Sequence, residues 1–135
     1  MHPNKALRQA MIELAPRVEE LSKLRIPRKH GHMVHPRIKW MGDPWHEHHY
    51  GFYRPSKKLI LINCNFAVSV AHPDLIKSVI AHEYVHYLQD LYWSIKDWNN
   101  THKMERFAME IESFFIPEGW CIDIDKTLRE PLYNK

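Results

Sequence analysis

His82-Glu83-Tyr84-Val85-His86 places two imidazoles four residues apart, the spacing at which two side chains share one face of a helix and can grip one metal ion. A carboxylate between them is the right group to take a proton from a metal-activated water, so these residues carry most of the chemistry of a metal-assisted hydrolase. The flanks read as helix. Pro73 suits a first helical position and Asp74 suits the positive end of the helix dipole. Leu75, Ile76, Val79, Ile80, Val85, Leu88 and Leu91 recur at helical spacing, with no Gly or Pro before the run ends near Trp93. The motif therefore falls mid-helix, where two imidazoles and a carboxylate on a buried side need partners that a metal with its water would supply. The plainer reading is a pair of hydrogen-bonded or solvent-facing helix histidines.

A catalytic zinc site takes three protein ligands and leaves one position open. The next helical segment offers the third. Thr101 can cap it, Met104, Phe107, Ala108, Ile111 and Phe115 form its apolar stripe, and Pro117 ends it. Its acidic residues are Glu105, Glu110 and Glu112. On a helical wheel Glu110 and Glu112 flank the apolar stripe, one on each side, so periodicity does not choose between them.

From His82 through Gln89, and again at Glu110-Ile111-Glu112-Ser113-Phe114, the chain resembles the gluzincin branch of zinc metallopeptidases, in particular the small phage, plasmid and prokaryotic minigluzincin-like proteins. The motifs that carry the resemblance lie within residues 59–115. It implies an α+β, zincin-like domain: an N-terminal helix, a small, mostly antiparallel sheet with an edge strand, an active-site helix and a following glutamate helix. It also implies Zn2+ held by His82, His86 and Glu110, Glu83 as general base, and a peptide or protein substrate. Glu110 is favoured over Glu112 because the family pattern runs from the ligand Glu through two variable residues to a small one and then an Asp, Asn or aromatic, places that Ser113 and Phe114 fill. Where relatives have Asp at the final place it orients a ligating His. Phe114 cannot, so another acceptor must hold the imidazoles, and Asp90, one turn beyond His86, is a candidate. His102 is the alternative third ligand of a different branch. The metzincin pattern is absent. Two other functions use the same residues: a non-catalytic zinc-binding interaction module, and a regulator of the ImmA/IrrE type that cleaves one dedicated repressor.

The rest of the sequence sets bounds. The 135 residues are expected to form one domain, with 44% hydrophobic and 26% charged residues typical of a globular chain. No stretch is long and apolar enough for a bilayer, and the first residues lack the apolar core of a signal peptide, so a cytoplasmic protein without a membrane partner is expected. Cys64 and Cys121 read as separate thiols. The net charge is +3. The basic cluster Lys23, Arg25, Arg28, Lys29 and His30 reads as a solvated turn rather than a nucleic-acid site.

Leu7, Met11, Leu14, Val18 and Leu21 describe an amphipathic helix over about 4–24, which Pro16 should kink or divide. Short strands are expected at Ile38–Met41, Tyr50–Tyr53 and Leu59–Ile62, the last two joined as a hairpin; the resemblance implies that Leu59–Ile62 is the edge strand to which a peptide could add, and the plainer reading is an ordinary buried strand of the sheet. His30, His32, His35, His46, His48 and His49 raise the possibility of a second metal site, but an irregular segment fixes no ligand geometry and they read as loop histidines. One of them, or Tyr50, Tyr53 or Tyr87, could stabilise an oxyanion. Residues 120–125 alternate like a strand or an extended wrap, with Asp123 and Asp125 as surface carboxylates.

Overall fold

The computed structural model describes residues 3–41, 50–63, 73–118, 120–123 and 128–131, and shows an α+β chain of helices and small sheets. No helix among them is long and apolar enough to cross a membrane.

Helix α1 spans Pro3–Ser22. It buries Leu7, Met11, Leu14, Ala15 and Val18, the stripe expected from the spacing. Pro16 does not divide it. The proline lies on the exposed side, while residues before and after it are anchored in the core, so tertiary packing holds the turn that propensity would break. Lys23 ends the helix in the left-handed region, φ 63°, its amide donating to the Glu19 carbonyl.

A tight hairpin follows, β1 (Arg28–Lys29) and β2 (His32–Met33), whose turn residues His30 and Gly31 both have positive φ. Arg28 is tied back to Glu19 at 3.0 Å. Three tyrosines of the long helix α2 (Pro73–Tyr92) secure the segment on either side of this hairpin. The Tyr92 hydroxyl donates to the Arg25 carbonyl, the Tyr87 hydroxyl donates to the Val34 carbonyl, and the Tyr84 hydroxyl lies 2.7 Å from His35 Nδ1.

The main sheet has β3 (Arg37–Met41) and β4 (Gly51–Arg54) on either side of β5 (Leu59–Asn63). Strands β4 and β5 form the expected antiparallel hairpin, turned by a 3-10 segment at Pro55–Lys57 and by Lys58 at φ 47°. The sheet is nevertheless mixed rather than mostly antiparallel, because β3 runs parallel to β5, with Ile38 beside Ile60 and Trp40 beside Ile62. Nor is 59–62 an edge. Every residue of β5 is buried, and its unbroken Leu-Ile-Leu-Ile run is the pattern of a strand covered on both faces. Strand β4 is the edge nearest α2.

Helix α2 begins and ends where Pro73 and Trp93 indicated. It packs on α1, β4, β5 and α4. The short helix α3 (Ile95–Trp98) is capped by Ser94 and reverses the chain. Helix α4 (Thr101–Glu112) then returns along α2; its cap is Asn100, whose side chain accepts from the Lys103 amide, rather than Thr101. A 3-10 turn, Ser113–Phe115, extends it. Beyond Pro117, β6 (Trp120–Asp123) and β7 (Leu128–Pro131) form a hairpin. The readings of His46, His48, His49, Cys64, Asp125 and the Cys121 and Asp123 side chains fall outside the described residues.

Candidate metal centre

Helix α2 is so deeply embedded that its polar residues are buried along with its apolar ones. His82, Glu83 and His86 are only 5%, 6% and 6% exposed, and Gln89 is fully buried. The i, i+4 spacing brings the two imidazoles together as expected: their Nε2 atoms stand 3.1 Å apart.

The third group comes from α4. Glu105 Oε2 lies 3.1 Å from His82 Nε2, and Glu105 Oε1 lies 2.8 Å from His86 Nε2. Among the described residues His82, His86 and Glu105 are the group of His, Cys, Asp and Glu able to hold a metal ion. Glu110, the expected ligand, is not part of it. It sits on the exposed side of α4, 3.6 Å from Arg106, because five residues turn a helix through about 140° and point Glu110 away from Glu105. His102 is exposed too.

Glu112 has a different place. Two turns beyond Glu105, it shares that residue's face and is fully buried, accepting at 2.7 Å from His82 Nδ1. His86 Nδ1 is held by Gln89 Oε1 at 2.7 Å, and the Gln89 amide group donates onward to the Met104 carbonyl at 3.1 Å. That onward bond fixes which end of the Gln89 amide faces His86. Both imidazoles thus use Nδ1–H as a donor and turn Nε2 inward, the tautomer a metal-ligating histidine needs. Asp90 does not serve here; it accepts from Tyr53 and Lys58.

Two neutral imidazole nitrogens and a carboxylate facing one another are all acceptors, and such a cluster requires a cation, either bound protons or a metal. Burial disfavours charge on His82, but Glu105 and Glu112, with Glu83 close by, outweigh it and push its pKa up to about 10. Burial likewise disfavours charge on Glu105, yet the two histidines hold its carboxyl well below the usual carboxylate range. The donor set fits an ion in size as well. Two ligand atoms about 2.0–2.1 Å from a tetrahedral centre stand about 3.3 Å apart, so the observed separations need only slight opening. The Glu105 side chain is 33% exposed, which leaves an approach from solvent on that side.

Glu83 stands outside this set and faces the start of β4. An added Cβ at Gly51 would lie 3.3 Å from Glu83 Cγ, 3.0 Å from Val79 Cγ1 and 3.0 Å from the Leu61 carbonyl, so only glycine lets strand and helix approach this closely. Of the possible oxyanion donors, Tyr53 and Tyr87 spend their hydroxyls on Asp90 and the Val34 carbonyl.

The sequence alone lists Glu105 among the acidic residues of this helix but puts Glu110 before it, and it singles out neither imidazole acceptor. A signal was present for one pair: Glu105, Ala108, Met109 and Glu112 follow an i, i+3, i+4, i+7 pattern that puts two carboxylates on one apolar face. Compared with protein-family profiles, with characterised proteins and with solved structures, the chain gives no match.

Proposed function

We propose that this protein is a zinc-dependent metallopeptidase with a zincin-like fold, in which His82, His86 and Glu105 hold the ion and Glu83 is the general base. The observation that carries this reading is the convergence of both Nε2 atoms and the Glu105 carboxylate at one point, with a further carboxylate, Glu83 on the helix of the two histidines, outside the ligand set. A nitrogen and oxygen donor set of this kind, with both histidines oriented from behind, suits zinc. Bound zinc would supply Lewis acidity, acidifying a water and polarising a scissile carbonyl. Glu83 then accepts the proton of the attacking water and returns it to the leaving amine. Glu112 and Gln89 keep the imidazoles in the required tautomer. Strand β4 supports a peptide substrate, since it is an edge strand of the described sheet and passes over Glu83 at Gly51, so an extended segment added to it would run by the catalytic carboxylate.

The test is Glu83→Gln, assayed against a peptide mixture with cleavage read by mass spectrometry. Zinc content should be unchanged and cleavage should fall by about 100-fold or more. Cleavage at the wild-type rate would rule out this mechanism.

A further inference from the structure

The main sheet has a second face, turned away from α2, where the residues follow a simple cross-strand order. Arg37, Leu59 and Arg54 form one row across β3, β5 and β4, and Lys39, Leu61 and Phe52 form the next. Leu59, Leu61 and Met41 are buried there as a small apolar cluster of their own, with Phe52 packed against it. Above this floor opens a cleft of about 220 Å³ rimmed by Lys39, Arg54 and Lys57, all three exposed. Among the described residues no carboxylate lines the cleft and none of these three cations is in an ion pair. Arg37, in the same cross-strand row as Arg54, is exposed as well.

We propose that this face docks an acidic polypeptide segment, with carboxylates of the partner meeting Lys39, Arg54 and Lys57 and a small apolar side chain entering between them. Charge complementarity argues for the sign of the partner. Cations over a low-dielectric aliphatic floor attract an anion more strongly than the same charges on a flat wet surface. The size of the cleft argues for a peptide, because about 220 Å³ falls short of a typical small-molecule pocket yet admits individual side chains. The buried floor is aliphatic, Met41, Leu59 and Leu61, with Trp40 in the lining and Phe52 packed beside it, whereas single-stranded nucleic acid is bound by stacking successive bases on aromatic platforms, so the oligonucleotide is the rival occupant that the test must separate. The proposal stands apart from the metal centre, which lies on the opposite side of the sheet and shares none of these residues.

The experiment is fluorescence anisotropy with the full chain and a labelled peptide of about ten residues, glutamates flanking two leucines, against the same peptide with lysine for glutamate and a single-stranded oligonucleotide of equal length. Mass spectrometry of the peptide afterwards confirms that it is intact. The acidic peptide should bind at least about tenfold more tightly than the lysine version, weaken as salt rises, and lose at least about tenfold in the combined variant Lys39→Glu, Arg54→Glu, Lys57→Glu. The control Lys5→Glu with Arg17→Glu, on exposed positions of α1, should bind as wild type. Because all of these side chains are exposed, circular dichroism should show both variants folded. Absence of binding, equal binding of the two peptides, full affinity in the triple variant, or tighter binding of the oligonucleotide would each overturn the proposal.

Discussion

Helices α2 and α4 face one another across the metal centre but are buried in different ways. In α2 every residue from Ser78 to Gln89 is buried, so burial by itself does not distinguish His82 from Leu88. Helix α4 is buried on one side only, and there burial separates three carboxylates of identical or similar chemistry: Glu112 fully inside, Glu105 at the boundary, Glu110 out in solvent. On the proposed reading, the difference shows how a metal centre would be divided between two elements. The embedded helix would supply the rigid pair and the base, while the half-exposed helix would supply the ligand that solvent can reach and does supply the acceptor that orients His82 from behind.

The sharpest way to break this division is to remove the three α4 carboxylates singly. Glu105→Ala should have the largest effect, lowering metal affinity by more than about 100-fold, beyond the range typical for outer partners. Glu112→Ala should cost about 10- to 100-fold in affinity, because His82 loses the acceptor that holds its tautomer. It should also destabilise the chain by about 1–3 kcal/mol by leaving a buried Nδ1–H unpaired. Glu112→Gln, which retains an acceptor oxygen, should recover most of the metal affinity in isothermal titration. Glu110→Ala should change metal binding not at all and stability by no more than about 0.5 kcal/mol, as its contact with Arg106 is an exposed, long ion pair.

Strand β4 offers a test from the other side of α2. Gly51→Ala places a methyl against the Leu61 carbonyl, which β-pairing holds in place, as well as against Val79 and Glu83. It should destabilise by about 1–3 kcal/mol in a denaturant melt and reduce cleavage beyond what stability alone explains. An unchanged melt would mean that strand and helix are not as closely packed as the account requires.

The centre also sets a pH dependence whose sign can be worked out. In protein stripped of metal by a chelator, His82 has a raised folded pKa, so its contribution is fully present below about 6.5 and is lost as pH rises through about 10. Glu105 is lowered, so its contribution is present above about 4.5 and is lost as pH falls. The stripped protein should thus be most stable in mildly acidic solution and weaken toward pH 10. Metal binding should run the opposite way, strengthening as the proton leaves His82. Thermal melts with and without zinc across this range would show the two trends diverge, and parallel trends would contradict the assignment.

How much of this could be read from the sequence follows from what each feature depends on. Helices α1, α2 and α4 were legible because their apolar spacing is local, and His82, Glu83 and His86 came with α2 because i, i+4 geometry is local too. The sheet order was not legible: β3 pairs with β5 rather than with β4, the next strand in sequence, and no local pattern encodes which neighbour a strand selects. Leu59–Ile62 was misplaced at the edge although its continuous apolar run already suited a central position. Glu105 ranks behind Glu110 in the sequence for a related reason. Which face of α4 meets α2 is set by the reversal through α3 and the Asn100 cap, not by counting from Ser113 and Phe114. In the event Phe114 is 58% exposed and Ser113 turns back to the Glu110 carbonyl, both away from the imidazoles.

The most direct measurement is the metal content, by elemental analysis, of untagged wild type, Glu105→Ala and Glu110→Ala after equilibration with zinc and desalting. About one zinc per chain is expected in wild type and in Glu110→Ala, and little in Glu105→Ala. Zinc retained by Glu105→Ala but lost from Glu110→Ala, or no zinc in wild type, would contradict it.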